Sequence, residues 1–85
     1  MVFVELRKGS TGEAVTVFQC IMNMLQYVGA DGKPLTIDGE YGENCEYACN
    51  TFQTVQRAYG YECGTDGKND GIFGIKCWER FGLVK

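Results

Sequence analysis

The chain has 85 residues, 45% of them hydrophobic and 22% charged, which is the balance of one small globular domain rather than a disordered segment. Eight basic and eleven acidic side chains leave a net charge of −3, so the basic footprint of a nucleic-acid binder is absent. Histidine is missing altogether, which removes the commonest general base and the commonest zinc ligand.

In chain order, the first feature is Gly9-Ser10-Thr11-Gly12-Glu13, a G-x-x-G turn. Ser10 with Glu13 three residues on has the form of a capping box, so a first helix is expected to start near Ser10 or Thr11. Ala14, Val15, Val17, Phe18, Ile21, Met22, Leu25 and Val28 are its apolar positions. They span more than one stripe, and a helix buried on most sides, stopping at Gly29, is expected. Thr16, Gln19, Asn23 and Gln26 interrupt the apolar run at helical spacing. That rules it out as a signal peptide or membrane span. No export signal is then expected in this stretch: either the chain is a piece cut from a longer protein, or its host exports it another way.

The second helix is expected from Gly42 to Gly60, with Cys45, Ala48, Phe52, Val55 and Tyr59 inward and Glu46, Asn50, Gln53 and Arg57 outward. A short third helix carries Cys77, Trp78 and Phe81 and closes at Gly82. The connections are rich in Gly and Asp, and only Leu35 to Ile37 could be extended. Asp38-Gly39-x-Tyr41-Gly42-x-x-Cys45 repeats as Asp70-Gly71-x-Phe73-Gly74-x-x-Cys77, at a constant shift of 32 residues. The repeat reads as an internal duplication of a turn that opens a helix.

Several chemistries fail on residue type. Five cysteines, an odd number with no CxxC, favour small buried reduced thiols over a zinc site or a disulfide framework. A cysteine nucleophile would have no histidine as its base. Asp66 to Gly71 imitates the start of a calcium loop, but Lys68 holds the third position and Cys77 the twelfth. No metal or cofactor is expected, and no catalysis.

The pattern Leu6-Arg7-x-Gly9-x-x-Gly12-x-x-Val15-x-x-Phe18-Gln19, followed by two Asp-Gly-x-aromatic-Gly turns with Phe52-Gln53 between them, resembles the peptidoglycan-binding-domain family. These are small modules attached to bacterial and phage cell-wall hydrolases. The resemblance runs from Leu6 to Phe81 within a single domain of residues 1–85, and departs at Cys45 and Cys77, where the family usually has Thr. It implies an all-α, compact three-helix bundle that binds the peptide stem or glycan of the cell wall without catalysis. It also implies an extracellular, wall-associated location and a linked catalytic domain as partner. A monomer is expected, with neither nucleic acid nor membrane as partner. The runner-up is a protein-interaction or intramolecular packing module of a larger enzyme.

Ligand contacts are sought beside the turns, where helix-start N–H groups are free. Asp38, Tyr41, Asp70 and Phe73 lie in the turns themselves, Tyr41 and Phe73 expected as core plugs ahead of ligand platforms, with Lys76 and Arg80 just after the second. Trp78 is the first candidate ring for stacking on a sugar or peptide, with Tyr47, Tyr59 and Tyr61 undecided between that and packing. Asn23 and Gln26 belong to an uncharged polar stripe whose amides both donate and accept. Gln19 and Gln53, each next to a core Phe, are expected to serve the fold rather than a ligand.

Overall fold

The structure, a computed structural model, describes residues 4–81. It contains three helices, α1 (Glu13–Met24), α2 (Glu43–Ala58) and α3 (Ile75–Glu79). No strand occurs among the described residues, where pairing is limited to isolated bridges such as Leu6 with Phe73 and Thr11 with Glu40. The expected closure of the third helix at Gly82 lies outside the described residues. The radius of gyration is 11.5 Å, close to the ~12 Å expected of a fully packed chain of this length.

Helix α1 begins later than the capping-box pattern predicts. Gly12 is the N-cap residue, at φ 115°, with no side-chain cap. The Ser10 hydroxyl instead accepts a bond from the Arg7 amide at 3.0 Å, which closes the preceding turn. The turn competes for the same hydroxyl and wins because it is anchored. The amide of Gly9 donates to the Tyr41 carbonyl and that of Gly12 to the Gly39 carbonyl, both at 2.9 Å. Every residue from Ala14 to Asn23 is buried or half-buried, as expected of a central helix.

The helix also ends earlier, at Met24 rather than Gly29. Gln26 takes the left-handed conformation at φ 67°. Its amide donates to Asn23 O at 3.0 Å, and the Tyr27 amide donates to Met22 O at 2.9 Å. This is a Schellman closure with Gln where Gly is usual. Gly29 has another duty: a Cβ there would come within 2.6 Å of the Asn44 side chain. Helix α2 closes in the same way, with Gly60 at φ 90°. The Tyr61 amide donates to Gln56 O, and the Gly60 amide to Arg57 O, both at 2.9 Å.

The core is aromatic. Phe73 sits at its centre, with ring centroids 4.8 Å from Phe18, 4.9 Å from Trp78, 5.2 Å from Phe81 and 5.5 Å from Phe52. The edge-on contacts with Phe18 and Trp78 suit the ring quadrupoles. Cys45, Cys49, Cys63 and Cys77 are buried as free thiols, filling the space of small hydrophobes. The inward face of α2 departs from expectation: Gln53 and Gln56 are buried, while Tyr59 is 73% exposed.

Candidate functional site

The duplicated turns are each built on a buried glutamine. The Gln19 side-chain amide donates to Asp38 Oδ1 at 3.0 Å and to Glu40 O at 3.1 Å. Its oxygen accepts from the amides of Asp38 at 3.1 Å and Gly39 at 3.0 Å. Gln53 repeats the arrangement, donating to Asp70 Oδ1 at 2.8 Å and Ile72 O at 2.9 Å and accepting from the amides of Asp70 and Gly71. In each turn the aspartate Oδ1 also accepts the amide two residues on, Glu40 in one and Ile72 in the other. Cys45 and Cys77 lie against the glutamine amides, at 3.4 and 3.9 Å.

These bonds decide the fate of several residues expected to meet a ligand. Asp38 and Asp70 spend their carboxylates on their own turns. Bonds from the Gln19 side chain and the Glu40 amide hold the Asp38 carboxyl below its ordinary range. Burial pushes the Asp70 carboxyl up, but bonds from Thr65, Gln53 and Ile72 outweigh it and leave it lowered. Tyr41 and Phe73 are core residues. The Tyr41 hydroxyl donates to Gly71 O at 2.9 Å, so the first turn is tied to the second. Trp78 is wholly buried and its indole N–H donates to Val4 O at 2.8 Å, so its ring is closed to a sugar or peptide. Asn23 bonds the Leu35 backbone in both directions, at 2.9 and 2.8 Å, and pins the loop that carries the first turn. Gln26 is exposed and serves as the left-handed residue ending α1. Tyr47 is half-exposed and lines none of three surface clefts, at the start of α2, beside the second turn and between α2 and α3.

Lys76 and Arg80 are brought together. They line a cleft of about 460 Å³ between the end of α2 and α3, together with Tyr61, Glu62, Cys63 and Glu79. A second cleft of about 290 Å³ shares Cys63 and Lys76 with the first and continues past Thr65, Asp70 and Ile72 beside the second turn. A third, of about 160 Å³, sits at the start of α2. Glu40 and Glu43 line it and Glu46 adds to the acid of that first helical turn, so the expected reception of carboxylates by free helix-start amides fails there on charge.

Within the large cleft the charges are unequally committed. Arg57 grips Glu62 with two nitrogens, at 3.1 and 3.0 Å, and holds its carboxyl below the ordinary range. Arg80 donates through Nε to the Gln56 side chain at 2.7 Å, and its guanidinium carbon lies 3.5 Å from the centre of the Tyr61 ring. Such stacking orients the guanidinium. Burial pushes the Cys63 thiol up to about 12, so it stays protonated near neutrality. Among the described residues no cluster of three or more His, Cys, Asp or Glu side chains is placed to hold a metal. No helix among them is long and apolar enough to cross a membrane.

Glu79 is a cleft residue that the sequence pattern left unassigned, and Tyr61 one whose ring it left undecided between packing and stacking. Tyr61 follows the helix-ending Gly60, a position that throws a residue out beside the helix end. Glu79 is three residues from Lys76 and adjacent to Arg80, a spacing that puts charges of both signs on one short helix. Searches against protein-family models, curated proteins and solved structures each found no match to the chain.

Proposed function

We propose that this chain is a non-catalytic module that binds bacterial peptidoglycan and tethers a linked cell-wall hydrolase to its insoluble substrate. In finer detail, its architecture is the family's three-helix bundle with a duplicated turn. The observation that carries the reading is the pair of Gln–Asp-Gly-x-aromatic-Gly turns, because the residues on which the resemblance rests are the ones that make the same bonds twice. With the turn aromatics in the core, ligand contact falls to what the second turn leaves on the surface: Tyr61, Lys76, Glu79 and Arg80. Tethering acts through local concentration, so modest single-site affinity suffices.

The test is co-sedimentation of the chain with purified insoluble cell walls at low and high salt. Pelleting that soluble muropeptide reverses is expected, and Arg80→Ala should weaken it about tenfold, the size of one charge-assisted hydrogen bond. A folded chain that stays in the supernatant would overturn the reading.

A second reading, a module that packs on a protein partner, is favoured by Met24, 79% exposed, beside Leu25, 52% exposed. Under the first reading the pair Met24→Ser and Leu25→Ser leaves pelleting unchanged. Under the second it abolishes association with a catalytic domain.

A further inference from the structure

The large cleft carries one feature that wall binding in general does not require. Lys76 and Glu79 stand three residues apart on α3 and are both exposed, yet they form no ion pair. The ion pairs among the described residues are Arg7–Glu5 and Arg57–Glu62. The second of these removes Glu62 from the cleft's charge balance. Arg80 is fixed through Nε and its ring contact, and its two terminal nitrogens have no partner among the described residues. What remains available is two cations and one carboxylate around one half-exposed ring. That local surplus is positive, in a chain whose net charge is −3.

We propose that this cleft takes an α-amino-acid zwitterion presented by a peptide. The ligand carboxylate sits between Lys76 and Arg80, its ammonium meets Glu79, and its aliphatic stem lies against Tyr61. A carboxylate alone would engage only the two cations, and an ammonium alone only Glu79. Only a group with both signs satisfies all three side chains. Resting on the wall-binding reading for its source, this ligand is the free end of a diaminodicarboxylic residue in the stem peptide. A stem with lysine at that place offers the ammonium without the carboxylate. A site built from exposed charges is screened, so affinity falls as salt rises.

The test titrates two soluble tripeptides, L-Ala-γ-D-Glu-meso-diaminopimelate and its L-lysine counterpart, into the isotopically labelled full chain, followed by amide chemical shifts. The diaminopimelate peptide should shift Tyr61, Lys76, Glu79 and Arg80 and bind at least about tenfold more tightly, since each unmatched charge forfeits a charge-assisted bond. Glu79→Gln and Lys76→Ala should each erase about tenfold while leaving the spectrum folded, because neither side chain has a partner to lose. Equal affinity for the two peptides, shifts that map away from the cleft, or a Glu79→Gln chain that binds like the parent would overturn the proposal. Co-sedimentation with walls of both stem types separates the two levels. If parent and Glu79→Gln pellet alike with both walls, wall binding stands and the zwitterion site falls. Pelleting with neither wall overturns the wall reading, and the tripeptide titration then decides the cleft on its own.

Discussion

Gln53 illustrates how much one polar side chain can govern in so small a domain. It is fully buried, yet it fills both ends of its amide with backbone and carboxylate partners from the second turn. Gln53→Ala would strand the Asp70 and Gly71 amides and the Ile72 carbonyl away from water. We expect a loss of about 2–4 kcal/mol, from unsatisfied polar groups plus a cavity, measured by urea unfolding. That is a large share of the ~4–13 kcal/mol available to a chain of this size. The aspartates add a pH dependence. Both Asp38 and Asp70 are held below their ordinary range in the folded state. The unfolded chain therefore binds more protons in the interval between folded and unfolded values, and stability rises with pH there. The contribution is complete above about pH 5, where unfolded aspartate has lost its proton, and it disappears as pH falls through the folded values. Thermal melts from pH 6 to pH 2 should show this acid limb. In the double variant Asp38→Asn and Asp70→Asn the limb should flatten, since an amide oxygen still accepts the turn bonds but does not titrate. An unchanged limb would show that other carboxylates govern acid unfolding.

At the scale of elements, the two long helices end alike but at unequal cost. The left-handed closing residue is Gly60 in α2 and Gln26 in α1. A side chain in that conformation is strained by about 1–2 kcal/mol, part of which glycine returns as chain entropy. Gln26→Gly should therefore stabilise the chain by roughly 0.5–1 kcal/mol, read as a rise in urea midpoint without a change in slope. The reverse exchange, Gly60→Gln, should destabilise by a similar amount. A Gln26→Gly chain less stable than the parent would mean that the exposed amide side chain has a stabilising role of its own. The start and end of α2 were legible in the sequence because glycines flank a clean helical pattern. The ends of α1 were not. The Ser10 hydroxyl has two possible amide partners, and only the pairing of the Gly9–Gly12 turn with the first Asp-Gly turn selects Arg7. Gly29 looked like a stop because its actual constraint, the approach of Asn44 from α2, is not local.

Over the whole molecule, the two Asp-Gly turns, the N-terminal segment and the three helices close on one aromatic centre. Leu6 exchanges two backbone bonds with Phe73, at 3.0 and 2.8 Å, and the Tyr41 hydroxyl ties one turn to the other. Local sequence was enough for the helical class, the approximate helix positions and the repeat of the turn. Those follow from apolar periodicity and glycine spacing, which act over a few residues. Which aromatic rings remain at the surface was set by packing between distant segments. Trp78, Tyr41 and Phe73 go inside while Tyr59 and Tyr61 stay out, because a ring's burial depends on what other segments pack over it. The same holds for charge. Lys76, Glu79 and Arg80 are near neighbours in the chain, but their availability was set at long range. Arg57 captures Glu62, Gln56 and Tyr61 hold Arg80, and the cleft between α2 and α3 leaves the remaining charges exposed.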